Sequence, residues 1–207
     1  MTRIAILNYG MGNLRSVEKA LARVGVEPAL TADEQEIEAA DGLILPGVGA
    51  FPEAMRRIRA AGLDDVIRGR VEASTPLLGI CLGMQLLFDS STENEGADGL
   101  GLLQGAVEAL EVEALKLPHI GWAPLRIEAP SPLSDAIDAD EPFYFVHSFA
   151  PRPVPEELLG SAAYGERFAA LVGRHPVYGA QFHPEKSSAA GLALLERFAA
   201  ICAPAPV

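Results

Sequence analysis

The chain has 207 residues, of which 49% are hydrophobic and 21% charged, and its formal net charge is −12. This composition fits one globular domain over residues 1–207, and the negative charge disfavours nucleic acid and anionic membrane surfaces as partners. Two distant cysteines, the absence of a signal peptide and the lack of a run of roughly 20 apolar residues indicate a cytoplasmic protein with reduced thiols.

The first half of the chain alternates short apolar runs with amphipathic segments. Strands are predicted over residues 3–9, 27–31, 42–47 and 75–80, and helices over 14–25, 33–40 and 52–73, with a further helix starting at 82. Gly62 predicts a break in the third helix. The runs lack the two-residue alternation of a half-exposed strand, which is typical of a parallel sheet covered on both faces.

The second half favours strands and loops over helices. Strands are predicted over residues 105–112, 123–129, 142–151, 162–166, 168–173 and 177–182, before a closing helix over 189–202. The predicted fold is therefore α/β, with a mostly parallel central sheet flanked by helices and additional antiparallel strands in the second half.

The stretch Gly79-Ile80-Cys81-Leu82-Gly83 lies between a predicted strand and a predicted helix. A G-x-C-x-G turn in this position is typical of a nucleophile elbow, where glycines two residues either side of the nucleophile avoid collisions with neighbouring elements. Helix N–H groups after the turn would favour a thiolate and could hold an oxyanion. The alternative is a small structural cysteine in a glycine-containing turn.

His183, in the segment Gln-Phe-His-Pro-Glu, is the candidate base for this thiol. Pro184 keeps the backbone at His183 extended, so Glu185 points the same way and can orient the imidazole. Taken alone, His183 is more often a satisfied histidine at a strand end, and Glu185 more often a solvated loop charge. A zinc site is disfavoured because no third and fourth ligands have suitable spacing.

Six motifs carry a family resemblance: residues 8–21, 45–51, 79–85, 117–122, 143–148 and 181–187. The motifs around Cys81 and His183 resemble the class I, triad-type glutamine amidotransferases. All six, in the same order, are similar to the family of glutaminase subunits of imidazole glycerol phosphate synthase. The resemblance covers residues 3 to about 200 and implies a glutamine-hydrolysing enzyme of histidine biosynthesis that needs no cofactor or metal.

The resemblance implies a role for each matching residue. Cys81 attacks the carboxamide of L-glutamine and forms a glutamyl thioester, His183 moves protons and Glu185 orients His183. The N–H of Leu82 and a second N–H from Gly47 or Val48 form the oxyanion hole. Substrate-binding positions are implied at Gln85, Glu93, Ser148 and Phe149, with Glu95 as an alternative to Glu93.

The same resemblance implies a heterodimer with a barrel-shaped cyclase subunit that receives the ammonia. The matching interface positions are Asn13, Trp122, Tyr144 and Lys186. Ala123 stands where the family commonly has Asn, and Leu117 where many members have Val. The remaining alternatives are another amidotransferase subunit, a catalytically silent binding subunit and a cysteine hydrolase acting alone on peptides or esters.

Overall fold

The computed structural model describes residues 1–135, 137–138 and 140–203 and confirms the predicted α/β class. The strands are β1 Arg3–Leu7, β2 Glu27–Thr31, β3 Gly42–Gly47, β4 Leu77–Cys81, β5 Ser90–Ser91, β6 Ala97–Asp98, β7 Gly105–Ala109, β8 His119–Pro124, β9 Arg126–Ile127, β10 Pro142–His147, β11 Phe149–Pro153, β12 Leu158–Tyr164, β13 Glu166–Arg174 and β14 Val177–Ala180. The α-helices are α1 Leu14–Arg23, α2 Glu34–Glu38, α3 Phe51–Ala60, α4 Leu63–Glu72, α5 Leu82–Gln85 and α6 Ser188–Cys202.

An eight-stranded mixed sheet forms the centre of the fold, in the order β2-β1-β3-β4-β14-β13-β12-β9. The strands from β2 to β14 pair in parallel, and the remaining pairs are antiparallel. Because β4 lies between β3 and β14, the segments that follow these three strands meet at one edge of the sheet. This edge is where open α/β sheets place their ligands.

Alternate residues of β1 belong to two different hydrophobic clusters. Ile4 and Ile6 pack in the cluster that contains core residues of α1 and α6, whereas Ala5 and Leu7 pack in the cluster that contains those of α3 and α4. Both faces of the strand are therefore buried, which explains why its sequence is continuously apolar rather than alternating.

In the large sheet, β12 spans Leu158–Tyr164 rather than the predicted 162–166. Two small sheets account for further differences from the predicted strands. The segment predicted as one strand over 142–151 divides at Ser148: β10 pairs with β8, and β11 joins the sheet β11-β7-β5-β6. Strand β8 begins at His119, earlier than the predicted start at 123. Pro118, Gly121 and Pro124 obscure it, because glycine and proline are unfavourable in strands.

Helix α5 contains four residues, so the longer helix expected from residue 82 onward is wrong. After it, Leu87 N–H and Phe88 N–H donate to the carbonyls three residues earlier, and the chain turns into β5. A four-residue helix sums few peptide dipoles. Any stabilisation of a thiolate at Cys81 must therefore rely mainly on nearby donors and charges.

The two glycines of the elbow lie where a side chain would collide with backbone atoms. A Cβ at Gly79 would lie 2.6 Å from the Gly83 carbonyl oxygen, and one at Gly83 would overlap the carbonyl oxygen of Leu45 in β3. Neither backbone segment can move aside as the end of a flexible side chain would. Close packing of α5 against β3 and β4 therefore requires glycine at both positions.

The Gly83→Ala variant is expected to lose about 3 kcal/mol of unfolding free energy, since overpacking against fixed backbone is strongly destabilising. Gly69→Ala in α4 is the matched control, because nothing lies within 4 Å of its added Cβ. That variant should gain up to about 1 kcal/mol from helix propensity. Urea unfolding of both variants measures the difference, and equal effects would contradict the close approach at Gly83.

Candidate active site

Cys81 ends β4 in a backbone conformation that side chains rarely adopt. Its φ is 54° and its ψ is −112°, and the next residue begins α5. Such a conformation persists only where the surrounding packing enforces it, and here Gly79 and Gly83 allow that packing. The strand, the strained residue and the helix form the predicted elbow, with Cys81 6% exposed at the carboxyl end of the sheet.

His183 follows β14 and lies next to both Cys81 and Glu185. Its Nδ1 is 3.0 Å from Glu185 Oε1, and both side chains are at least 96% buried, with exposures of 4% and 1%. Cys81 and His183 line the same cavity. Since Nδ1 is used by Glu185, Nε2 is the ring nitrogen available to the thiol. The structure thus brings the three predicted triad residues together.

The charge state of His183 is set by opposing effects. Burial acts to lower its pKa, but hydrogen bonds and opposite charge at Cys81 and Glu185 outweigh burial and raise the pKa to about 9. A raised pKa means that the imidazole keeps its proton at neutral pH and loses it only as the pH rises through about 9. The arrangement favours an imidazolium beside the sulfur at neutral pH.

A cavity of about 290 Å³ opens above Cys81. The predicted residues that line it are Val48, Cys81, Leu82, Gln85, Glu93, Ser148, Phe149, His183 and Lys186, and the lining also includes Gly49, Pro118, Val146 and His147. The cavity therefore combines a thiol, an imidazole, a carboxylate, an amide and main-chain groups. Its size suits a small amino-acid side chain with its α-substituents.

The two candidates for the second oxyanion donor lie in different places. Val48 lines the cavity and is 42% exposed, whereas Gly47 pairs with Cys81 in the sheet and does not line this cavity. Tyr9 donates from its hydroxyl to the Pro46 carbonyl over 2.7 Å beneath the turn. Gly49, which the sequence did not single out, follows Val48 into the cavity lining.

The structure separates Glu93 from Glu95. Glu93 lines the cavity and accepts the Phe51 N–H at 2.8 Å through Oε2, so its carboxylate is fixed with Oε1 left for another donor. Glu95 is exposed and lies outside the lining. The geometry favours Glu93 as the substrate-facing carboxylate.

Buried polar side chains in the cavity wall and behind it were missed by sequence reasoning. His119 Nδ1 lies 3.2 Å from His147 Nε2, and His147 Nδ1 lies 2.9 Å from the Phe149 carbonyl. Burial lowers the pKa of His147 to about 4, so its ring is neutral and donates from Nδ1 to Phe149. Gln181, 0% exposed, lies 3.9 Å through Nε2 from the Cys81 sulfur.

The four predicted interface residues lie near the cavity mouth or on neighbouring surface. Trp122 is 52% exposed, and its ring packs edge-on against Tyr144 with centroids 5.7 Å apart. Lys186 lines the cavity and places Nζ 5.8 Å from the Tyr144 ring centre. Asn13 is exposed and lines a cavity of about 10 Å³ that also contacts Glu185. Ile120, 61% exposed, extends this apolar surface.

Across residues 1–135, 137–138 and 140–203, no helix is long and apolar enough to cross a bilayer. Within the same part of the chain, no three His, Cys, Asp or Glu side chains cluster in a way that would hold a metal ion.

Comparison with known proteins places the chain among amidotransferases. Residues 5–202 match the family Glutamine amidotransferase class-I. Imidazole glycerol phosphate synthase subunit HisH of Geobacillus thermodenitrificans is 49% identical, with 97% of each chain covered. The protein of the same name from Methanosarcina barkeri is 48% identical, covering 98% of this chain and 100% of its own.

Solved structures show the same fold. The crystal structure of a glutamine amidotransferase is 25% identical, with a TM-score of 0.74 over 94% of this chain and 98% of its own. PurLQS from Thermotoga maritima, 21% identical with a TM-score of 0.75 over 97% of this chain and 98% of that one, supports the fold alone.

Proposed function

The chain belongs to the class-I glutamine amidotransferases, and we propose that it is the glutaminase subunit of an imidazole glycerol phosphate synthase, acting in the cytoplasm as a single amidotransferase domain. The supporting observation is that Cys81 and His183 line one cavity while Glu185 hydrogen-bonds His183 from behind, in a chain about half identical to proteins named as that subunit. The substrate is L-glutamine, and the products are glutamate and ammonia.

The reaction begins with attack of the Cys81 thiolate on the carboxamide carbon of glutamine. The resulting oxyanion accepts the Leu82 N–H and a second N–H from the 47–49 turn, for which Val48 is supported by its place in the cavity. His183 passes its proton to the amide nitrogen, so ammonia leaves and a glutamyl thioester remains. A pKa of about 9 suits this step, because the imidazole holds a proton at neutral pH.

Hydrolysis of the thioester uses the same groups in reverse roles. Neutral His183 removes a proton from water, the hydroxide adds to the thioester carbonyl and the second oxyanion collapses to release glutamate and the thiolate. Glu185 keeps the imidazole in one tautomer through both steps. Gln85, Glu93 and the main chain at Ser148 and Phe149 hold the α-substituents of glutamine.

Ammonia formed here serves a barrel-shaped cyclase subunit in a heterodimer. The exposed apolar surface formed by Ile120, Trp122 and Tyr144 lies beside Lys186 at the cavity and supports a docking site there. A cysteine hydrolase acting alone on peptides is less well supported, because the cavity of about 290 Å³ holds a fixed carboxylate that suits one amino acid.

Glutamine hydrolysis, measured with and without the cyclase subunit and its nucleotide ligand, tests the proposal. We expect slow release of glutamate by the isolated chain and a roughly 10- to 100-fold increase in the complex, the range of ordinary allosteric coupling. Trp122→Ala should reduce this increase in rate. The control is Leu30→Ala, which removes an exposed apolar side chain on β2 and should leave the increase unchanged. Equal rates with and without the cyclase would remove the synthase assignment, and no hydrolysis in either condition would remove the glutaminase assignment.

A further inference from the structure

The sulfur of Cys81 lies close to a carbonyl oxygen that opposes its ionisation. Val146 O is 3.7 Å from Sγ and can accept a hydrogen bond from the neutral thiol, but its negative end faces a thiolate unfavourably. Helix α5 is too short to contribute much macrodipole. The proposed attack on glutamine therefore needs another neutral donor aimed at the sulfur, in addition to His183.

Gln181 is the side chain in position to supply that donor. It follows β14, is 0% exposed, and its main-chain N–H is held by the Ala170 carbonyl at 2.9 Å. Its Nε2 lies 3.9 Å from Cys81 Sγ, within the range for hydrogen bonds to sulfur. A buried amide with a fixed backbone loses little entropy in holding this direction.

The direction of the Gln181 amide follows from its neighbours. The Phe149 carbonyl can only accept, and Gln85 Nε2 lies 2.9 Å from it, so the Gln85 amide must point its NH₂ group that way. The same NH₂ group lies 3.1 Å from Gln181 Oε1. Because Gln181 uses its oxygen toward Gln85, its own NH₂ group faces Cys81.

His147 contacts the same carbonyl from the other side. Its Nδ1 lies 2.9 Å from the same Phe149 carbonyl, and its Nε2 accepts from His119 at 3.2 Å. Donation therefore converges on the Phe149 carbonyl, from His119 through His147 on one side and from Gln85 on the other, and Gln85 also donates to Gln181, which donates to the sulfur. Reversing either amide would place two donors or two acceptors face to face inside the protein.

We propose that Gln181, oriented by Gln85, is a further catalytic residue of the glutaminase reaction that stabilises the Cys81 thiolate by direct hydrogen bonding. This inference rests on the proposed function, since it gives Gln181 a role in preparing the nucleophile for glutamine. Gln181 hydrogen-bonds the thiolate before attack and again when the sulfur leaves the hydrolysed thioester. Gln85 has a second role as a positioning residue in addition to contacting the substrate.

The rate of Cys81 alkylation by iodoacetamide, followed from pH 5 to 10 without glutamine, tests the inference. Mass spectrometry of the Cys81 peptide separates this reaction from any at Cys202. Gln181→Met removes the donor at similar size and should move the alkylation midpoint up by about one pH unit, as expected for a hydrogen bond to a charged group. Gln181→Glu places a carboxylate beside the sulfur and should raise the alkylation midpoint more than Gln181→Met does. Gln85→Met should raise the midpoint less than Gln181→Met does.

The outcomes separate this inference from the proposed function. If the wild-type enzyme hydrolyses glutamine and Gln181→Met keeps the wild-type midpoint with only a uniform change in rate, Gln181 has a structural role and the inference is wrong. If the wild-type enzyme releases no glutamate in its complex, the proposed function itself fails. Thermal unfolding shows whether Gln181→Met folds. If it does not, the nearly isosteric Gln181→Glu replaces it, and an unchanged alkylation midpoint in that variant would contradict the inference.

Discussion

Cys81→Ala is expected to lose at least about 10⁴-fold in the rate of glutamine hydrolysis, because the variant has no atom that can form the thioester. Cys81 is 6% exposed and packs at the end of β4, and alanine fits the same space, so the fold should persist. In the complex with the cyclase, synthesis from added ammonium salt should remain near the wild-type rate. Both rates are measured on one preparation, with glutamine or ammonium salt as the nitrogen source.

Cys202→Ala is the matched control, since Cys202 is also buried, with 5% exposure, and lies in α6 outside the cavity. It should keep glutamine-dependent synthesis within a few-fold of wild type. Loss of the ammonium-dependent rate in Cys81→Ala would show that Cys81 is needed for the structure of the complex rather than for chemistry.

Glu185→Gln is expected to lower kcat for glutamine by about 10³-fold while KM changes little, because an amide can stabilise the wrong imidazole tautomer. Removing the carboxylate also removes a hydrogen bond and a negative charge that raise the pKa of His183. The proton on His183 should therefore be lost at a pH below the wild-type value of about 9, which NMR titration of the imidazole nitrogens measures.

Glu157→Gln is a suitable control for that variant. Glu157 is 2% exposed and accepts the Gln104 N–H, and Arg174 pairs with it, all away from the cavity. Its replacement should lower stability without changing kcat or the titration of His183. A Glu185→Gln variant with unchanged kcat would exclude Glu185 as the orienting acid.

The first half of the fold was predictable because its signals are local. Continuous apolar runs marked β1, β3 and β4, and Gly62 marked the break between α3 and α4, where its φ of 66° suits glycine. The short length of α5 was not predictable: Leu86, Leu87 and Phe88 continue an apolar helical pattern. Their burial against the sheet takes precedence over the local preference for helix.

Site residues were likewise predictable where the signal is local and not where it depends on contacts distant in sequence. Cys81, His183 and Glu185 could be found because each lies in a motif whose spacing has a chemical reason. The choice between Glu93 and Glu95 needed the Phe51 contact, 42 residues away in sequence. Gln181 was missed because its partners Gln85 and Cys81 are 96 and 100 residues away, and no local pattern reports such contacts.

Rapid quenching of the enzyme–cyclase complex during glutamine turnover, followed by mass spectrometry of the intact chain and its peptides, tests covalent catalysis at Cys81 most directly. The account predicts a transient adduct with the mass of a glutamyl group, located on the Cys81 peptide and absent in Cys81→Ala. Sustained release of glutamate with no adduct at any time, or an adduct on a different residue, would contradict it.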